Sequence, residues 1–166
     1  FSMDNSHLNI EGQSAMVMPT GSSMTVLSGV VMDLENARFS GGNNLMLRNC
    51  TVNIGQGGIF TEYGRDLCLE NSTVYIAKEA VMQSELCNIL LRDTTITNDG
   101  FFFISGWNEI QFSQQDSVIY NNGDAEICLP NDLTGESMIY NKGVLYTSLE
   151  HPIDSERIDG NAQKTS

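Results

Sequence analysis

The chain has 166 residues, of which 40% are hydrophobic, and it carries 8 Lys and Arg against 21 Asp and Glu, a net charge of -13. That length suits one continuous core, and that charge repels phosphate backbones and anionic headgroups, which argues against nucleic acid as a partner. No apolar stretch is long enough to span a bilayer, so membrane insertion is not expected.

Taken in chain order, the sequence repeats. The first unit, Phe1-Ser2-Met3-Asp4-Asn5-Ser6-His7-Leu8-Asn9-Ile10, reads apolar-x-apolar-x-Asn-small-x-apolar-x-apolar. A weaker copy begins at Met24. The pattern returns clearly as Leu45-Met46-Leu47-Arg48-Asn49-Cys50-Thr51-Val52-Asn53-Ile54 and as Leu67-Cys68-Leu69-Glu70-Asn71-Ser72-Thr73-Val74-Tyr75-Ile76, then more weakly from Ile89, Ile110 and Leu133. These starts are 23, 21, 22, 22, 21 and 23 residues apart. Each unit adds a third apolar run, such as Gly58-Ile59-Phe60-Thr61 or Ala80-Val81-Met82-Gln83. Strands this short cannot bury an apolar face alone, but turns stacked about 4.8 Å apart close a continuous interior.

The prediction is an all-β chain, a right-handed parallel β-helix over residues 1–147, with about seven coils of about 22 residues and three short strands per coil. A β-sandwich also has many short strands, but they would not repeat at one period. Residues 148–166 are polar and lack the pattern, so a tail, cap or linker is expected there. The opening Phe1-Ser2-Met3 has no initiator Met and reads as part of a longer or processed chain.

Alternation along each strand assigns faces. Val52, Val74 and Ile96 should stack inward, as should Ile54 and Ile76. Asn5, Asn49 and Asn71 form a row at the first corner, where a bend suits a residue tolerant of the left-handed region, with Asp93 and Gln114 or Gln115 continuing it. The outward positions of the first strands read Ser2, Thr25, Met46, Cys68, Leu90 and Gln111. Among them Met46, Cys68 and Leu90 make an apolar stripe suited to a partner surface or to self-association. Arg48, Glu70 and Arg92 read as a structural charge ladder. Thr51, Thr73, Thr95 and Ser117 form a hydroxyl row on the second face.

Tyr63, Glu85 and Trp107 share the corner after the third strand, two rings with a carboxylate between them, and are the candidate carbohydrate-binding residues. Asn49-Cys50-Thr51 and Asn71-Ser72-Thr73 match the glycosylation acceptor pattern but belong to the corner row. Cys50, Cys68, Cys87 and Cys128 lack CxxC spacing and fall on no matching positions of adjacent coils, so four free thiols are expected. No motif calls for a metal or cofactor; Ca2+ is an open alternative for so acidic a chain, with no motif to support it.

The coil pattern resembles the pectate-lyase-like superfamily of right-handed parallel β-helices, which includes polysaccharide lyases, galacturonases, phage tailspikes and bacterial surface adhesins. The resemblance covers residues 1 to about 147 and is to the coil, not to one family. In lyases of this fold, acidic calcium ligands and a basic residue stand on the outer face of the first strands. The six outward residues named above supply neither, the galacturonase set of neighbouring Asp residues is missing, and His7 and His151 stand apart. The expectation is therefore a noncatalytic module of a secreted or cell-surface protein, an adhesin, fibre or structural repeat region. The alternative is a carbohydrate-binding module, or a fragment of a polysaccharide lyase or hydrolase. The expected partners are a polysaccharide or glycan, or another protein surface.

Overall fold

A computed structural model describes residues 2–18, 24–42, 44–63, 66–85, 87–105, 112–127, 130–149 and 152–165. In chain order the strands come in threes: β1 (Ser2–Asp4), β2 (His7–Glu11), β3 (Ala15–Val17); β4 (Met24–Ser28), β5 (Val31–Glu35), β6 (Arg38–Gly41); β7 (Asn44–Arg48), β8 (Thr51–Ile54), β9 (Ile59–Tyr63). The series continues with β10 (Asp66–Glu70), β11 (Thr73–Ile76), β12 (Val81–Glu85); β13 (Asn88–Arg92), β14 (Thr95–Asn98), β15 (Phe101–Ser105); β16 (Phe112–Gln115), β17 (Val118–Asn121), β18 (Asp124–Ile127); and β19 (Pro130–Thr134), β20 (Met138–Asn141), β21 (Val144–Thr147). Every third strand joins the same sheet, giving one parallel sheet of 7 strands and two of 8, the latter completed by β22 (Ile158–Gly160) and β23 (Lys164–Thr165). This is an all-β parallel β-solenoid with three strands per turn of about 22 residues.

Register explains the core. Val52, Val74 and Ile96 are Cα partners across β8, β11 and β14, as are Ile54 and Ile76, and all five are buried. Leu45, Leu67 and Ile89 stack in the first sheet, and Phe39, Phe60, Met82 and Phe102 in the third, where the Phe39 and Phe60 rings stack with centroids 5.1 Å apart. No strand can bury its inner face without the coils on either side, so core stability belongs to the stack.

Three expected repeat starts are displaced; one is Leu133, which pairs with Gln114 and so sits two positions along the strand from the expected start, past an irregularity in the pairing. Thr25, not Met24, pairs with Leu45, so Thr25 is buried and Val26 takes the outward place expected for Thr25. Met24-Thr25-Val26-Leu27 is apolar on both parities, so hydropathy alone does not choose the face. In the sixth coil Phe112, not Ile110, pairs with Ile89; Ile110 and Gln111 lie outside the described residues.

The first corner turns on positive φ: Asn5 at 45°, Gly29 at 64°, Asn49 at 54°, Asn71 at 46°, Asp93 at 47° and Asp116 at 47°. At Gly29 the Asn5 carboxamide occupies the space a Cβ would take. Asp116, rather than Gln114 or Gln115, carries the row into the sixth coil; Gln114 points into the core, where its Nε2 donates to Ser117 O at 2.5 Å. The next residue round the corner forms a buried ladder. Cys50 N donates to Ser72 Oγ (3.1 Å), Ser72 N to Thr94 Oγ1 (3.4 Å), Thr94 N to Ser117 Oγ (3.0 Å) and Ser117 N to Ser137 Oγ (3.3 Å). Ser117 therefore belongs to this ladder, and Val118 is the partner of Thr95 in the expected hydroxyl row.

Residues 152–165 lie against the seventh coil. A 3-10 turn at Ser155–Arg157 precedes β22, which pairs with β20, while β23 pairs with β21. Gln163 clamps the segment: its Nε2 donates to Ile153 O at 2.6 Å, and its Oε1 accepts from Ile153 N at 3.0 Å and from Thr147 Oγ1 at 2.8 Å. Ile153 is thereby buried at the end of the core. These residues were expected to lack the coil pattern, yet they place strands in two sheets.

Candidate functional site

The outer face of the first sheet is the most ordered side-chain array on the surface. Three strands, β7, β10 and β13, present Asn44, Met46 and Arg48; Asp66, Cys68 and Glu70; and Asn88, Leu90 and Arg92, each aligned in register with its neighbours. The array therefore has an amide and carboxylate row, an apolar row and a charged row, with coils about 4.8 Å apart. Each polar row is bonded along its own length: Arg48 Nε donates to Glu70 Oε2 at 2.9 Å, and Asn88 Nδ2 to Asp66 Oδ1 at 2.8 Å. Arg48 Nη2 also reaches Met46 Sδ at 3.7 Å, laying the guanidinium beside the apolar row.

The apolar row of Met46, Cys68 and Leu90 gains Val26 as its register neighbour and passes into Ser113 on the far side. It is less open than alternation implies. Cys68 is only 8% exposed, while Val26, Met46 and Leu90 are half-buried, because neighbouring rows lean over them. Burial pushes the Cys68 thiol up; Arg92 and Arg48 oppose that shift while Glu70 and Asp66 add to it. A thiol held protonated is a poor nucleophile. Arg48 and Glu70 form an ion pair, with Arg92 next to Glu70 in the same row.

At the first corner, Asn71 Nδ2 donates to Asn49 Oδ1 at 2.6 Å, and Gly29 separates this pair from Asn5 in the intervening coil. Cys50, Cys68 and Cys87 are free and buried among the described residues. Cys128 and His151 lie outside them.

The Tyr63, Glu85 and Trp107 platform is only partly described. Tyr63 and Glu85 are register partners at the ends of β9 and β12; Trp107 lies outside the described residues. Tyr63 folds back along the outer face of the third sheet, where its hydroxyl accepts from Arg38 Nη2 at 3.4 Å and from Gln83 Nε2 at 3.2 Å. That posture accounts for Thr61 being buried although it faces outward.

Other groupings escaped sequence reasoning because they cross coils. His7 pairs with Asp33 of the next coil, and Asn53 Nδ2 donates to Asp33 Oδ1 at 2.7 Å, the contact that does most to hold this carboxyl below its usual range. Only the register offset, not local sequence, could have found them. Tyr75 lines a shallow cleft of about 460 Å³ with Gln56, Ala77, Lys78 and Glu79, and its hydroxyl donates to Asp99 Oδ2 at 3.0 Å. Further along the same outer row, Tyr120 and Tyr140 stack at 5.1 Å, each giving one ring face to the other.

Two interior rows are polar. The line of Ile54 and Ile76 continues as Asn98, Asn121 and Asn141, all fully buried. Asn98 Nδ2 donates to Asn121 Oδ1 at 2.7 Å, Asn121 Nδ2 to Asn141 Oδ1 at 2.8 Å, and Asn141 Nδ2 to Asn161 O at 2.8 Å. In the third sheet, Glu62 stands in the inward row between Gly41 and Ser84.

Among the described residues, no group of three or more His, Cys, Asp and Glu side chains could hold a metal ion, and no helix is long and apolar enough to cross a membrane. What the geometry defines is a class, the three-sheet parallel β-solenoid. No family model, curated protein or solved structure matches the chain.

Proposed function

We propose that this chain is a noncatalytic module of a secreted or cell-surface protein, an adhesin, fibre or structural repeat region of the kind found among pectate-lyase-like β-helices. The observation that carries this reading is that outer-face side chains are spent on the coils above and below. Arg48 binds Glu70, Asn71 binds Asn49, Asn88 binds Asp66, Asn53 binds Asp33, and Tyr120 stacks on Tyr140. A catalytic surface instead aims acids, bases and donors at one reacting atom. Side chains that close on their own neighbours build a stiff acidic rod, and a rod serves by holding apart or presenting what is joined to it.

The test has two arms. Polygalacturonate, alginate and xylan are incubated with the protein, and new reducing ends and unsaturated products are measured, with no turnover above a heat-treated control expected. Intact cells of the native source are then shaved with protease, and the chain is expected in the released or secreted fraction. Turnover of any of these polymers, or recovery solely from the cytosol, would overturn the reading.

A further inference from the structure

Glu62 faces the interior of the solenoid with no exposure to solvent, and neither carboxyl oxygen has a hydrogen-bond partner. Its place is made by a neighbour: a Cβ on Gly41, one coil before, would lie 1.4 Å from Glu62 Oε2. The carboxyl thus fills the space of the side chain that Gly41 lacks. On the other side stands Ser84, buried, its hydroxyl close to the Cys87 thiol.

Among the described residues, the surroundings hold no counter-charge. The inward residues of the flanking strands are Phe39, Gly41, Met82 and Ser84, and those across the interior are Leu45, Leu67, Leu69, Val52, Ile54, Val74 and Ile76. Arg38 and Tyr63 stand on the outer face of the third sheet. Asp66 is half-buried at the start of β10 and bound by Asn88. Cys87 is fully buried, and its thiol, pushed up to about 12 chiefly by burial, feels the charge of both Glu62 and Asp66. An ionised carboxylate has no compensation here, and desolvation raises Glu62 to about 8.

We propose that Glu62 is a proton-operated latch at the end of β9: protonated, it stays seated beneath Gly41, and ionised, it leaves the interior and opens the end of β9, uncovering Cys87. The sign follows from linkage. The open state has the ordinary carboxylate value near 4.5 and the closed state a value of about 8, so opening is favoured as pH rises between them and levels off above. Below the lower value the latch is closed and insensitive to pH.

The test uses the whole chain and its own thiol. Cys87 labelling by 4,4'-dithiodipyridine is followed from acid to alkaline pH, with peptide mass mapping to separate Cys87 from Cys50, Cys68 and Cys128. The same series is run on Glu62→Gln, and on Glu62→Met as a second neutral filler of the same space. Once open, Cys87 titrates alike in all three proteins, so the ratio of wild-type to variant rates isolates the latch. That ratio should rise about tenfold per pH unit between the two carboxyl values and then flatten. A ratio that stays level across this range in either folded variant would overturn the proposal.

Discussion

Replacing Asn121 with Leu tests whether the buried amide row is a stabilising ladder or a tolerated oddity. Asn121 accepts from Asn98 Nδ2 at 2.7 Å and donates to Asn141 Oδ1 at 2.8 Å and to Val144 O at 3.0 Å. Leu fits the volume and continues the apolar line of Ile54 and Ile76, but it takes the Asn121 partner from one donor on Asn98, from the Asn141 Oδ1 acceptor and from Val144 O. At about 1–3 kcal/mol for each buried group left unpaired, offset in part by the added apolar side chain, the net loss is about 2–4 kcal/mol. For a chain of this size that lowers Tm by about 5–15 °C. The informative partner is the triple variant Asn98→Ile, Asn121→Leu, Asn141→Ile, which removes both ends of each amide-to-amide bond. It should cost clearly less than the sum of the three single variants. Equilibrium unfolding in urea, followed by far-ultraviolet circular dichroism, gives all the values. A neutral single variant, or strict additivity of the three, would refute the argument.

Val74→Asp places an unpaired carboxylate between Val52 and Ile96 and should abolish cooperative unfolding; an unchanged melting curve would contradict the register. Glu70→Gln removes one exposed ion pair with Arg48 and should cost less than about 1 kcal/mol, read by the same urea titration. Stability relative to Glu62→Gln should be highest below the ordinary carboxylate value. It should then fall by about 1.4 kcal/mol per pH unit until the closed-state value of about 8 is passed. Parallel pH profiles for the two proteins would show that Glu62 ionises without cost.

Most of the coil was legible because apolar residues alternate at one period. Val52, Val74 and Ile96 could be placed from spacing alone, and so could the Asn of the first corner, since few other side chains accept positive φ. What escaped has a common cause. Asn98, Asn121, Asn141 and Glu62 read as polar and therefore outward, yet each is buried, the amides partnered by the row above and Glu62 by nothing. Local patterning cannot price a hydrogen bond whose other half lies about 22 residues away. Met24 and Thr25 failed for a different reason, since both faces of that strand are apolar. The candidate array on the first sheet was half visible: its apolar and charged rows followed from alternation, while Asp66 and Asn88 sat one position before the repeat began and were overlooked.

The hydroxyl ladder at the first corner gives the rod a grammar. Thr94 Oγ1 accepts from the amide of Ser72, and its one proton is shared between Arg92 O at 2.8 Å and Leu69 O at 3.0 Å, so one coil's loose ends are tied by the coil that follows. Ser72 does the same for Cys50 and Leu47. Each coil hands forward the same unmet donor and acceptor that it received. Cutting out residues 73–94 would bring Ser72 directly before Thr95, with a small hydroxyl where Thr94 had stood and Ser117 ready as the next word. Length in such a molecule is a matter of copy number, and a whole coil can be gained or lost without rewriting its neighbours.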